Sequence, residues 1–118
     1  MKLYAVRVFV DDWESACDFY ENVLKLPVKF KDAGLGWAEF DIGGPSLGLE
    51  RTGIEDEEGK KLIGRFVGIS LKVDNIETVY EELSKIGVEF TTPTTKQDWG
   101  GTLAHFKDPA GNIITLLG

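Results

Sequence analysis

The chain has 118 residues, 42% of them hydrophobic, with 13 Lys and Arg against 20 Asp and Glu for a formal net charge of −7. That length suits one domain with its own core, and the apolar fraction argues against a disordered chain. A single cysteine, Cys17, excludes an internal disulfide scaffold, and an acidic chain without a basic stripe argues against a nucleic-acid partner.

Met1-Lys2-Leu3-Tyr4 opens directly into an alternating strand and lacks the apolar region of a signal peptide. No apolar run approaches the roughly 18 residues of a spanning helix. A soluble, cytoplasmic protein with no membrane partner is expected. The acidic balance either steers cationic ligands or merely keeps the chain soluble.

Val6, Val8 and Val10 alternate at period two and predict a strand. Asp11 follows at an expected helix N-cap, with Glu14 three residues on. Ala16, Phe19, Tyr20 and Val23 form one apolar stripe at helical spacing, and Pro27 stops the helix. Strands are expected near 27–32, 36–42 and 46–51. Residues 51–65, polar and charged, read as an exposed linker.

The pattern then repeats. Ile69, Leu71, Val73, Asp74 and Glu77 stand 63 positions after Val6, Val8, Val10, Asp11 and Glu14. Asp74 is the expected cap of a helix carrying Ile76, Val79, Tyr80 and Leu83, and Gly87 ends it. Strands near 88–92, 101–107 and 112–117 follow, with Asp108-Pro109-Ala110-Gly111-Asn112 as a turn. The reading is βαβββ-βαβββ: an α+β fold with an open, curved, mixed eight-stranded sheet. The helices cover one face and a concave cleft is left on the other.

Three segments carry a family resemblance: V-F-V-D-D-W-E-S-A-C-D-F-Y-E-N-V-L, S-L-K-V-D-N-I, and H-F-K-D-P-A-G-N-I-I-T-L. With the internal repeat, they resemble the vicinal oxygen chelate superfamily, which includes glyoxalase I, bleomycin resistance proteins and extradiol dioxygenases. The resemblance covers essentially the whole chain as one domain, 1–118, with halves about 1–56 and 62–118. It implies a homodimer and a small-molecule ligand. The family's metal enzymes take ligands from first and last strands of each half, positions that correspond here to Ala5, Gly48, Gly68 and Thr115. None supplies an imidazole or carboxylate, so no metal cofactor is expected. The alternative is a divalent Ni, Zn, Fe or Mn ion in an irregular site built from Glu39, Asp41, Glu50 and His105.

Strand parity assigns Arg7, Phe9, Trp37, Glu39, Glu50, Ser70 and His105 to the free face as ligand-binding candidates, with Trp99 at a loop beside it. Trp37 either lines a cleft or covers a strand, and Trp99 either touches ligand or packs its loop. Arg7 either pairs with Glu39 or Glu50 or binds an anion. His105 and Glu50 are candidate acid–base catalysts, although a lone histidine on a strand is commonly a polar surface residue. Cys17, flanked by acidic residues, reads as structural. Two functions remain open. One is metal-free binding or sequestration of an antibiotic or aromatic metabolite. The other is a glyoxalase-like lyase, isomerase or dioxygenase with an atypical metal site.

Overall fold

The protein is described by a computed structural model covering residues 1–53 and 55–118. It divides into two compact units, Met1–Gly64 and Arg65–Gly118. Each holds a four-stranded mixed sheet.

In the first unit the elements are β1 (Ala5–Val10), α1 (Trp13–Asp18) with a π-helical turn at Phe19–Val23, β2 (Val28–Asp32), β3 (Trp37–Asp41), β4 (Ser46–Arg51) and α2 (Glu57–Leu62). The strand order is β1-β4-β3-β2, with β1 parallel to β4 and the other pairs antiparallel. In the second unit β5 (Phe66–Lys72), α3 (Ile76–Lys85), β6 (Phe90–Lys96), β7 (Thr102–Lys107) and β8 (Ile113–Leu117) repeat the plan in the order β5-β8-β7-β6. The sequence repeat is thus a structural repeat.

One face of the first sheet is dry. Val8, Val10, Ala38, Phe40, Leu47 and Leu49 are fully buried there, with Trp13, Ala16, Phe19 and Tyr20 of the helical segment. Tyr20 stacks at 6.1 Å on Phe40, and the Trp13 Nε1–H donates to the Leu49 carbonyl at 3.4 Å. In the second unit Ala104, Phe106, Ile114 and Leu116 bury against Ile76 and Leu83 of α3. Phe90 joins Tyr80 to Phe106 with ring centroids at 4.4 and 5.7 Å. Burial of such side chains supplies roughly 1.5–3 kcal/mol each before entropy is counted.

Both helix caps fall one residue later than expected. Asp12, not Asp11, accepts the Ser15 N–H at 3.1 Å, while Asp11 accepts the Asp12 N–H. Asn75, not Asp74, accepts the Thr78 N–H at 3.2 Å. The physical reason is the side-chain reach to the third amide inside the helix: a cap must sit immediately before the first turn, and in both halves the backbone runs one residue further first. Gly87 closes α3 as expected, at φ +97°. Its N–H bonds Ser84 O, and Val88 N–H bonds Leu83 O, the paired bonds of a Schellman ending. Val88 therefore belongs to the helix ending, and β6 starts only at Phe90 and continues through Pro93.

The expected exposed linker contains a short helix, α2. Arg51 closes β4, and Asp56 caps α2 by accepting the Glu58 N–H at 3.1 Å. Acidic residues in the first turn and lysines in the last suit the helix dipole. Ile54 of that stretch lies outside the described residues.

Candidate functional site

The open face of the first sheet follows from its register. Arg7, Gly48, Glu39 and Phe30 lie in one row across the four strands. Phe9, Glu50, Trp37 and Asp32 form the next row, and Ala5, Ser46 and Asp41 a third. Paired residues share a face. Five of the expected site residues, Arg7, Phe9, Trp37, Glu39 and Glu50, therefore do gather on this surface.

At its centre the six-membered ring of Trp37 packs against Gly48, with Cη2 nearest. A Cβ on Gly48 would come within 2.2 Å of the indole ring, so only glycine leaves room for that seat. The indole N–H donates to Glu39 Oε2 at 2.9 Å, and Tyr4 O–H donates to the same oxygen at 2.6 Å. Ser46 Oγ–H donates to Glu39 Oε1 at 3.1 Å and accepts from Lys29 Nζ at 2.8 Å. Glu39 is only 8% exposed. Its carboxyl is held below the ordinary carboxylate value, chiefly by the Tyr4 hydroxyl, then by Trp37 and Ser46, against the opposing pull of burial. Tyr4 is pushed up by the same hydrogen bond. Glu39 is thus a stable anion, committed to fixing an aromatic ring, and poorly suited to carrying a proton in catalysis.

Arg7 resolves its two readings. Its Nη1 pairs with Glu50 Oε1 at 2.9 Å, and its guanidinium lies 5.2 Å from the centroid of the Phe9 ring. The pair remains well exposed, at 56% and 37% for the two side chains, so it contributes little to stability. Tyr4, Lys29, Phe30 and Ser46 join this surface and were not among the residues expected there. Tyr4 precedes the strand and Lys29 sits at a bulge, between Val28 and Phe30, so period-two parity identifies neither.

The second sheet places Ser70 and His105 on its own open face, in one row with Thr115 and Thr92. His105 Nδ1 and Thr115 Oγ1 lie 2.8 Å apart, and the edge of Phe66 meets the imidazole at 5.7 Å. Trp99 belongs to the β6–β7 turn, where its ring folds back on Gly101 and stays 66% exposed. Cys17 is buried, and burial pushes its thiol up to about 11, as a structural role requires.

The positions matching the family's metal ligands do not make a donor set. Ala5 offers a methyl group and Gly48 lies beneath Trp37. Gly68 sits in a β-bulge at φ +72°, and the Thr115 hydroxyl is engaged with His105. Among the described residues no three of His, Cys, Asp and Glu converge as a metal-binding group. These residues do not fit a divalent metal.

The Asp108–Asn112 turn explains its conspicuous sequence. Asp108 Oδ1 accepts the N–H groups of Ala110 and Asn112, both at 2.9 Å, and Gly111 turns at φ +86°. Asn112 Oδ1 then accepts the Arg65 N–H at 3.2 Å, tying the β7–β8 turn to the entry of β5. Its role is architectural.

Two βαβββ units, each with a helix on one sheet face and polar and aromatic side chains on the other, define an α+β architecture. The model of the Glyoxalase/Bleomycin resistance protein/Dioxygenase superfamily matches residues 2–116, and the chain belongs to that superfamily. It is 28% identical to the uncharacterized protein YraH of Bacillus subtilis, over 98% of this chain and 97% of that one. It is 27% identical to a bleomycin resistance protein of Klebsiella pneumoniae, over 90% and 83%. A superfamily member from Sphaerobacter thermophilus shares its fold at a TM-score of 0.82 with 30% identity, over 99% and 96% of the two chains. Among the described residues no helix is long and apolar enough to cross a membrane.

Proposed function

We propose that this protein binds a small organic molecule without a metal, taking a planar cationic or electron-poor ligand onto the Trp37 indole. The carrying observation is the preformed aromatic floor: Trp37 seated on Gly48 with its N–H bound to a buried carboxylate. A ring held this way loses little freedom on binding, so less affinity is spent on ordering. A carboxylate at the indole N–H enriches the π face, which strengthens attraction for a cation. Asp32, Glu39, Asp41 and Glu50 outnumber Arg7 and Lys29 on this surface, which favours the same ligand charge. The similarity to a bleomycin resistance protein supports sequestration of a bulky cationic compound. The superfamily relationship supports a homodimer, which sedimentation equilibrium would read as a two-chain species.

Calorimetry with bleomycin and with proflavine, a compact planar cation, tests the reading. Saturable binding of at least one is expected, weakened more than tenfold in Trp37→Ala. Absence of binding by both, or indifference to Trp37→Ala, would overturn it. Metal analysis of untagged protein tests the other half: one tightly held Ni, Zn, Fe or Mn ion per chain would refute metal-free binding.

A further inference from the structure

The chain carries 20 carboxylates, yet none lies in β5, β6, β7 or β8. The charged side chains of these strands are Lys72, Lys96 and Lys107, with His105 beside them. The acidic residues nearby lie on α3 or in connecting segments, and Glu89 is spent on Lys107 at 3.1 Å. Lys96 pairs with Thr102 on the helix-covered face and Lys107 is taken by Glu89, so among the described residues the open face carries one unpaired cation, Lys72, and no carboxylate from these strands, a balance favourable to an anion.

The side chains there are arranged to receive one. Ser70, Thr115, His105 and Thr92 form a continuous polar row across the four strands. Thr92 Oγ1 accepts the His105 backbone N–H at 3.2 Å. Thr115 is buried and holds the imidazole by Nδ1, so Nε2 is the ring nitrogen not used by that contact. Lys72 is two residues along β5 from Ser70 and so shares its face. Both are exposed, and neither has a side-chain hydrogen bond or ion pair among the described residues. Strands lie about 4.8 Å apart, so Ser70 and His105 stand roughly 10 Å apart with Thr115 between them. That gap suits an oxyanion bridged by a hydrogen bond from each side. Phe66, 59% exposed and edge-on to His105, offers apolar contact to whatever carries the anion.

We propose that Lys72, Ser70 and His105 form an oxyanion site on the second sheet, taking a carboxylate or phosphoryl group of a small organic ligand. These residues belong to the second sheet and Trp37 to the first, and neither reading needs the other.

NMR titration of ¹⁵N-labelled full-length protein with inorganic phosphate, and separately with benzoate, at constant ionic strength tests it. Saturable shifts are expected at the amides of Ser70, Lys72, His105 and Thr115. Lys72→Gln should weaken binding about tenfold, the loss of one charge-assisted contact. Lys72→Arg should retain it, and Lys85→Gln on α3 should leave it unchanged. Saturation by phosphate alone identifies a phosphoryl ligand, and saturation by benzoate alone a carboxylate. No saturation by either, or equal behaviour of Lys72→Gln and Lys85→Gln, overturns the site. Repeating the titration in Trp37→Ala separates the two readings, since anion binding should survive there while cation binding is lost.

Discussion

Replacing Glu39 with Gln removes one charge while keeping the shape of the side chain. The carboxylate accepts from Trp37, Ser46 and Tyr4 at once. The Gln amide has one accepting and one donating end. If its oxygen serves Trp37 and Tyr4, its NH₂ meets Ser46, whose hydroxyl already accepts from Lys29. A hydrogen bond to a charged acceptor is worth about 1 kcal/mol more than a neutral one. Counting Trp37 and Ser46, and leaving out the exposed Tyr4, the substitution should cost about 1–2 kcal/mol. For a chain of this size that is a fall in Tm of about 4–8 °C at neutral pH. The cost should also depend on pH. Because the folded Glu39 is held below its ordinary value of 4.5, its contribution is whole at pH values above that and is lost as pH falls through the folded value. Thermal unfolding followed by circular dichroism should therefore show the wild type and Glu39→Gln converging in acid. A difference that persists undiminished well below pH 4, or no difference at neutral pH, would refute the assignment of Glu39 as a charged anchor.

Three further outcomes follow from the geometry. Gly48→Ala should evict the Trp37 ring, shifting its fluorescence to the red and costing about 1–3 kcal/mol in urea unfolding; an unchanged spectrum would contradict the seating of the indole. Cys17 should react with a disulfide reagent at pH 8 at least about tenfold more slowly than an unperturbed thiol, since the loss of thiolate outweighs its greater nucleophilicity and burial slows it further, and at the ordinary rate once the protein is unfolded. Asp12→Ala should cost about 1 kcal/mol through the lost α1 cap and Asp11→Ala clearly less, a ranking that chemical denaturation can reverse or uphold.

The alternation of strand faces was legible in the sequence because it rests on local periodicity, the two-fold repeat because the same pattern recurs 63 positions on, and the superfamily because three segments resemble it. Val6, Val8 and Val10 must share a face of any strand, and their counterparts 63 positions later repeat the constraint. The same rule brought Arg7, Phe9, Trp37, Glu39 and Glu50 to one surface. The family resemblance, in turn, implied ligand positions at Ala5, Gly48, Gly68 and Thr115, none of which supplies an imidazole or carboxylate. What pattern could not decide was how those side chains use one another. Helix caps slipped by a residue because a cap is fixed by where the first turn closes. Tyr4 and Lys29 were missed because they reach the site from outside the regular alternation. Only the fold shows that Gly48 vacates a seat for Trp37 and that Glu39 gathers donors from three separate segments. Those contacts join residues up to 35 positions apart, and no local period encodes them.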